Sequence, residues 1–183
     1  MITLLDPAGY RRTPWRNGGG TTVDIAIRLD GEAEVWRFGR TPIVQPGPFS
    51  DYSGFDRVQA LVAGSGLVLE TPEGEIDVRQ PFRPVRFAGE TAITSRLEAG
   101  PVEVVNLIGR RERVKIEMVV LDEGRTLLLR PGTHIAYTPH GDTELAIQGS
   151  ERKLAADHAL RVDTDVTMRL TGVAGCLLVA SIT

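Results

Sequence analysis

Eight residues near the start, Trp15-Arg16-Asn17-Gly18-Gly19-Gly20-Thr21-Thr22, bring together an indole, a guanidinium, an amide, three glycines and two hydroxyls. Three roles suit such a stretch. Glycines at positive backbone angles could aim successive N–H groups at an anion and cradle a phosphate. The indole, guanidinium and amide could instead line a pocket, or the segment could be a turn and nothing more. The phosphate role has least behind it: no lysine completes a nucleotide loop and no helical period follows. Val23, Ile25 and Ile27 alternate with Asp24, Ala26 and Arg28, the period of a strand.

Arg16, Arg37 and Arg57 are the candidate bidentate donors for a carboxylate. Arg37 stands between Trp36 and Phe38, so its side chain leaves the opposite face of a strand, toward either a pocket or solvent. Asn106 interrupts Val104, Val105, Leu107 and Ile108; an amide in such a run is buried and needs backbone or ligand partners. Phe82 and Phe87 flank Arg83 to Arg86 and could cover a ligand, with core packing expected for at least one of them. Asp24, Glu70 and Glu103 could carry protons in a closed pocket, against the plainer alternative of surface solubility. His134, His140 and His158 form no metal-ligand spacing, and Ser50, Ser53, Ser65 and Cys176 have no accompanying base and acid. No catalytic residue, metal or cofactor is therefore assigned, and Asp24 and Glu103 are kept as acidic or structural candidates.

These side chains must be held by a scaffold whose class is legible. Twenty glycines and eleven prolines in 183 residues punctuate Val/Ile/Leu-rich runs, which points to many short strands and tight turns. With 24 acidic and 21 basic residues the formal net charge is −3, which gives no electrostatic reason to expect nucleic acid as a partner. Cys176 is the only cysteine, so an intrachain disulfide is impossible, and its apolar run Val173 to Ile182 favours a core role. No apolar stretch approaches the roughly 20 residues of a membrane span, so no membrane partner is expected and a cytoplasmic location is the economical reading.

Strands are expected at 21–29, 33–38, 43–45 and 57–63. A hairpin is expected across Thr71-Pro72-Glu73-Gly74, with further strands at 84–87, 91–97 and 102–108. Arg110-Arg111-Glu112-Arg113 is the clearest charged boundary. Beyond it the rhythm resumes at 114–121, 125–130, 135–138, 143–148, 153–155, 158–161, 166–170 and 174–182. Leu61 to Leu67 and Leu145 to Glu151 both place an apolar strand before a glycine turn, a weak internal echo that fits two stacked β-barrels. The expectation is an all-β chain with one unit over 1–109 and a second over 110–183, with strand exchange across the boundary. An exposed sheet edge could also support a homodimer.

The order Trp15-Arg16-Asn17-Gly18-Gly19-Gly20-Thr21, Asp24-Ile25, Trp36-Arg37, Gly47-Pro48-Phe49-Ser50, Phe55-Asp56-Arg57, Leu61, Gly64 and Gly66, Pro81-Phe82, Phe87-Ala88-Gly89 and Asn106 resembles the HutD/Ves family over roughly residues 8–113. The resemblance implies a bicupin, two cupin-like antiparallel β-barrels or sandwiches in one chain. It also implies a link to histidine utilisation: a metal-independent protein that binds or regulates, taking a small carboxylate-bearing metabolite such as formylglutamate. Trp15, Asn17, Arg37, Arg57, Phe82 and Asn106 are then the ligand-binding candidates, with Gly18 and Gly19 allowing the loop to approach. The chain lacks the histidine-rich metal signature of catalytic cupins. It carries Asp24 where members often have Glu, which shortens that acidic arm by one methylene. The competing expectation is a metal-independent enzyme acting on an amino-acid-derived carboxylate, because one fold hosts both kinds of function.

Overall fold

Alternating apolar residues broken every few positions by glycine or proline leave the backbone little choice but short strands, and the computed structural model, which describes residues 1–183, consists of them almost throughout. In chain order the first are β1 (Ile2–Leu5), β2 (Arg11–Pro14), β3 (Thr21–Asp30), β4 (Ala33–Ile43), β5 (Gly47–Pro48) and β6 (Phe55–Ala63). They continue with β7 (Leu67–Thr71), β8 (Gly74–Asp77), β9 (Val85–Ala88), β10 (Thr94–Leu97) and β11 (Val102–Arg110). The rest are β12 (Ile116–Asp122), β13 (Thr126–Leu129), β14 (Gly132–Tyr137), β15 (Thr143–Ile147), β16 (Ser150–Leu154), β17 (Ala159–Thr164), β18 (Met168–Ala174) and β19 (Cys176–Ile182). One turn of 3-10 helix, Pro7–Gly9, is capped by the Asp6 carboxylate, which accepts from the Ala8 N–H at 2.8 Å. No helix is long and apolar enough to cross a membrane.

Backbone contacts divide the chain into Arg11–Val114 and a unit made of Met1–Tyr10 with Lys115–Thr183. The first strand therefore joins the C-terminal unit, where Ile2–Leu5 pairs antiparallel with β17. Tyr10 fastens the end of that arm by donating its hydroxyl to the Asp157 carbonyl at 2.7 Å. MITLL is too short for its period to reveal this, because the partner strand lies more than 150 residues away.

In the N-terminal unit a six-stranded sheet, ordered β2-β3-β4-β11-β6-β9, faces a four-stranded sheet, β5-β10-β7-β8. Ile43, Leu61, Leu67, Leu69, Val78, Phe87 and Val104 form the apolar core of this unit, with residues contributed by both sheets. The C-terminal unit repeats the plan with sheets β1-β17-β14-β19-β12 and β13-β18-β15-β16. Leu121, Leu129, Leu145, Leu154, Leu160, Leu170 and Val179 fill its interior. All strand pairs in these four sheets are antiparallel.

Two local departures from the expected strands have physical causes. The strand expected to stop at 38 runs to Ile43, and the separate one at 43–45 is absent. Pro42 lies past Arg40, the last β4 residue paired with β3, so that side of the ladder asks for no N–H there. Gly39 is required where β3 bulges between Asp24 and Ala26. A Cβ at that position would stand 2.5 Å from the Val23 carbonyl oxygen.

Candidate functional site

Sheet pleating sorts the N-terminal unit's polar residues onto one interior face. On β4 the odd positions Arg37, Gly39, Thr41 and Ile43 line a cavity, while Trp36 and Phe38 are buried on the opposite side. Register sets their neighbours: Arg57 lies opposite Ile108 and Phe87, and Asn106 lies opposite Gly39 and Gln59. Trp15, Thr22, Phe49, Ser50 and Tyr52 complete the wall. Counted out to its open mouth the cavity spans about 600 Å³. That is room for several small groups, in a concave site with few polar contacts.

Arg57 dominates the site's electrostatics. It is 7% exposed and has no carboxylate within ion-pair distance. One terminal nitrogen donates to the Asn106 carbonyl oxygen at 3.2 Å, and its Nε is buried without a partner. Three rings surround the guanidinium instead: Phe49 and Phe87 at 5.0 Å from its carbon and Tyr52 at 5.5 Å. Ring quadrupoles attract the cation by roughly 0.5–2 kcal/mol each, less than full hydration supplies. Burial therefore pulls its pKa down to about 10. That drop from an ordinary value of 12.5 corresponds to about 3 kcal/mol of disfavoured charge. The site holds a cation that still needs an anion.

Arg37 is the contrast within the same cavity. Its guanidinium contacts Glu34 at 2.5 Å and Asp24 at 3.5 Å. Burial opposes its charge, but Glu34 and then Asp24 outweigh that and raise the pKa. Asp24, 3% exposed, also accepts from the Thr13 hydroxyl at 2.6 Å and lies 3.5 Å from Arg11. Its carboxylate is thus engaged in holding β2, β3 and β4 together. Glu103 has the opposite parity to Asn106 on β11; it binds Arg40 at 2.8 Å and does not line the cavity.

The glycine loop spends its own N–H groups. Trp15 N–H donates to the Gly20 carbonyl, Gly18 N–H to the Trp15 carbonyl, and Gly19 N–H to the Asn17 side-chain oxygen. None of these three points free for an anion, so Gly18 and Gly19 form a turn rather than a phosphate cradle. Gly20 serves close packing: a Cβ there would meet the Trp15 indole at 2.9 Å. Trp15 in turn donates Nε1–H to the Thr22 hydroxyl at 3.1 Å, and Thr22 and Thr41 share a hydrogen bond of 2.9 Å. Asn17 reaches across to donate to the Pro48 carbonyl at 2.8 Å.

Of the sequence candidates, Trp15, Arg37, Arg57 and Asn106 meet at the cavity, and Asn17, Gly18 and Gly19 lie on the loop beside it. Phe82 is outside the lining. It adopts φ 57° in the turn before β9 and donates its N–H to the Leu61 carbonyl. Phe87, one strand position across from Arg57, stacks there instead. Phe49 and Tyr52 went unassigned as ligand neighbours because an aromatic inside a Gly/Pro/Ser turn carries no periodic signal. Gln59 was missed as well; it is fully buried, and neither end of its amide finds a partner.

The C-terminal unit holds the three histidines. His134 is 2% exposed, with Nδ1 at 2.8 Å from the Ser181 hydroxyl and Nε2 at 2.7 Å from the Arg130 carbonyl. Burial lowers its pKa, partly offset by the Arg130 bond and Asp163. No group of three or more His, Cys, Asp or Glu side chains converges where it could hold a metal ion. Cys176 is half-buried, and burial, with Asp122, pushes its thiol up to about 11, so it is protonated at neutral pH.

Two antiparallel double-sheet units in one chain, one with its interior opened into a pocket, define a bicupin. The fold alone is shared with salicylate 1,2-dioxygenase from Pseudoaminobacter salicylatoxidans, at 9% identity and a TM-score of 0.63 over 99% of this chain and 81% of that one. The chain belongs to the HutD family, whose model matches residues 7–179. It is 28% identical to a 21.2 kDa protein in the hutC 3' region of Pseudomonas putida, over 89% of this chain and 87% of that protein. It is likewise 28% identical to protein Ves of Citrobacter koseri, over 92% and 87% of the two chains. The solved structure of HutD from Pseudomonas fluorescens SBW25 superposes with a TM-score of 0.84 at 27% identity, covering 100% of this chain and 98% of that one.

Proposed function

We propose that this protein binds a small carboxylate-bearing metabolite of histidine breakdown in its N-terminal pocket, and acts by recognising that molecule rather than by transforming it. The observation that carries this reading is Arg57, a buried guanidinium with three aromatic neighbours, one amide partner and no carboxylate. A carboxylate docked on it would form charge-assisted hydrogen bonds in a poorly hydrated site, where they are strong. Asn106 orients the guanidinium, and Thr22, Thr41 and Ser50 offer hydroxyls to the rest of the ligand. The hutC-region relative supports a pathway intermediate, with formylglutamate the leading candidate.

An enzyme would need a proton carrier at the pocket. Asp24 and Glu103 are engaged with Thr13, Arg37 and Arg40, and Glu70 is paired with Arg96 at 2.8 Å. Recognition is therefore favoured over catalysis. Calorimetric titration with formylglutamate, formiminoglutamate and urocanate tests the reading, with Arg57→Gln as control. Binding by the wild type and its loss in the variant are expected. No heat from any of the three at millimolar concentration would sink the ligand class, and product detected by mass spectrometry would replace recognition with catalysis.

A further inference from the structure

Around the pocket's interior Asp24 and Glu34 both pair with Arg37, which leaves Arg57 as the guanidinium there without a counter-ion. One carboxylate docking at Arg57 satisfies that guanidinium and leaves no further unpaired cation inside. A second anionic group therefore has no place inside. The other guanidinium lining the cavity, Arg37, is already taken up by Glu34 and Asp24, which would repel a second anion beside it.

At the mouth the situation reverses. Arg16, on the loop between β2 and β3, is exposed and lies 4.1 Å from the Tyr52 ring centroid. Its one hydrogen bond is to the Asp51 carbonyl, at 3.3 Å. The Asp51 carboxylate is turned away, accepting from the N–H and hydroxyl of Ser53 at 2.8 Å. Tyr52 thus carries two guanidiniums that both lack a carboxylate, Arg57 from within and Arg16 from the rim. Their separation cannot exceed the sum of their two distances to that ring, a span that a short flexible diacid can bridge. The Asn17 bond to Pro48 holds the loop that presents Arg16.

We infer that Arg16 is a specificity-determining residue: it reads a second anionic group of the ligand at the pocket mouth while Arg57 holds the first inside. This rests on the carboxylate-binding reading above and adds a selector to it. Because Arg16 is solvated, its contribution is modest and salt-sensitive, whereas that of Arg57 is larger and less screened.

Glutarate and pentanoate test this, since they share a five-carbon chain and differ only in the second carboxylate. Titrations of the wild type should show glutarate binding about three- to tenfold more tightly. The preference should shrink toward unity at about 0.5 M salt. Arg16→Gln should abolish it while changing pentanoate affinity less than about twofold, and Arg57→Gln should lose both ligands. Two results would overturn the inference alone: pentanoate binding as well as glutarate, or a preference that survives Arg16→Gln. If neither ligand binds the wild type and the three pathway carboxylates also fail, the carboxylate reading itself falls and takes this inference with it. If those three bind while glutarate does not, only the selector role of Arg16 is overturned.

Discussion

The two units answer the same packing problem in opposite ways, and their buried ionisable groups show it. In the C-terminal unit His134 sits in the interior with both ring nitrogens bonded, to Ser181 and to the Arg130 carbonyl. In the N-terminal unit Arg57 is comparably buried, yet makes one side-chain bond and leaves its Nε unmatched. Around His134 the interior is closed by residues such as Ala136, Leu160 and Val162, whereas the region of Arg57 opens into a cavity. A buried polar group whose bonds are complete contributes to the fold; one left incomplete costs stability that folding alone does not recover. That difference marks which unit carries the site.

The sharpest way to break this comparison is to remove each group. Arg57→Leu should lower carboxylate affinity by more than about 100-fold while leaving stability unchanged or raised by about 1–3 kcal/mol, since an unpaired buried charge disappears. Urea unfolding beside calorimetry reads both, and a large loss of stability would show Arg57 to be structural. His134→Ala should do the converse, costing about 2–4 kcal/mol through a cavity and two orphaned partners, with ligand affinity retained.

Titration separates the units at opposite ends of the pH scale. His134 has a folded pKa below its ordinary 6.5, so the unfolded chain binds more protons as pH drops below that value. Its share of stability is intact above 6.5 and erodes on acidification. The stability difference between wild type and His134→Gln should therefore shrink between pH 7.5 and 5.5 in urea melts. Arg57, lowered to about 10, should make carboxylate affinity steady from pH 7 to 9 and then falling by up to tenfold per unit above about 10. An arginine at its ordinary 12.5 would give no such decline near 10. The smallest effect expected is that of Phe49→Ala, which removes one of three rings and should weaken ligand binding only a few-fold by loosening the guanidinium.

Much of the fold was readable because strand period and turn chemistry are local. The runs at Arg57 to Ala63 and Val102 to Ile108 alternate or stay apolar between Gly and Pro breaks, and both are long strands. The arm Ile2–Leu5 and the two-residue strand Gly47–Pro48 were not readable, because they exist only by pairing with distant segments. At the site, the parity of Arg37 against Trp36 and Phe38 was legible, but the choice between pocket and solvent was not. Asn106 announced itself by interrupting an apolar run. Phe87 and Phe82 looked alike in sequence until register placed only Phe87 beside Arg57.

The β architecture, the two-part rhythm and the inventory of guanidiniums, amides and hydroxyls around a glycine loop are legible in the order of residues. Those follow from backbone preferences and side-chain types, which act over a few residues. Which buried arginine lacks a counter-charge emerges only when the chain folds. Arg37 meets Glu34 and Asp24, Arg40 meets Glu103 from 63 positions away, and Arg57 meets three rings and an amide. Charge compensation depends on distance and dielectric in the folded chain, and no spacing along the sequence encodes either.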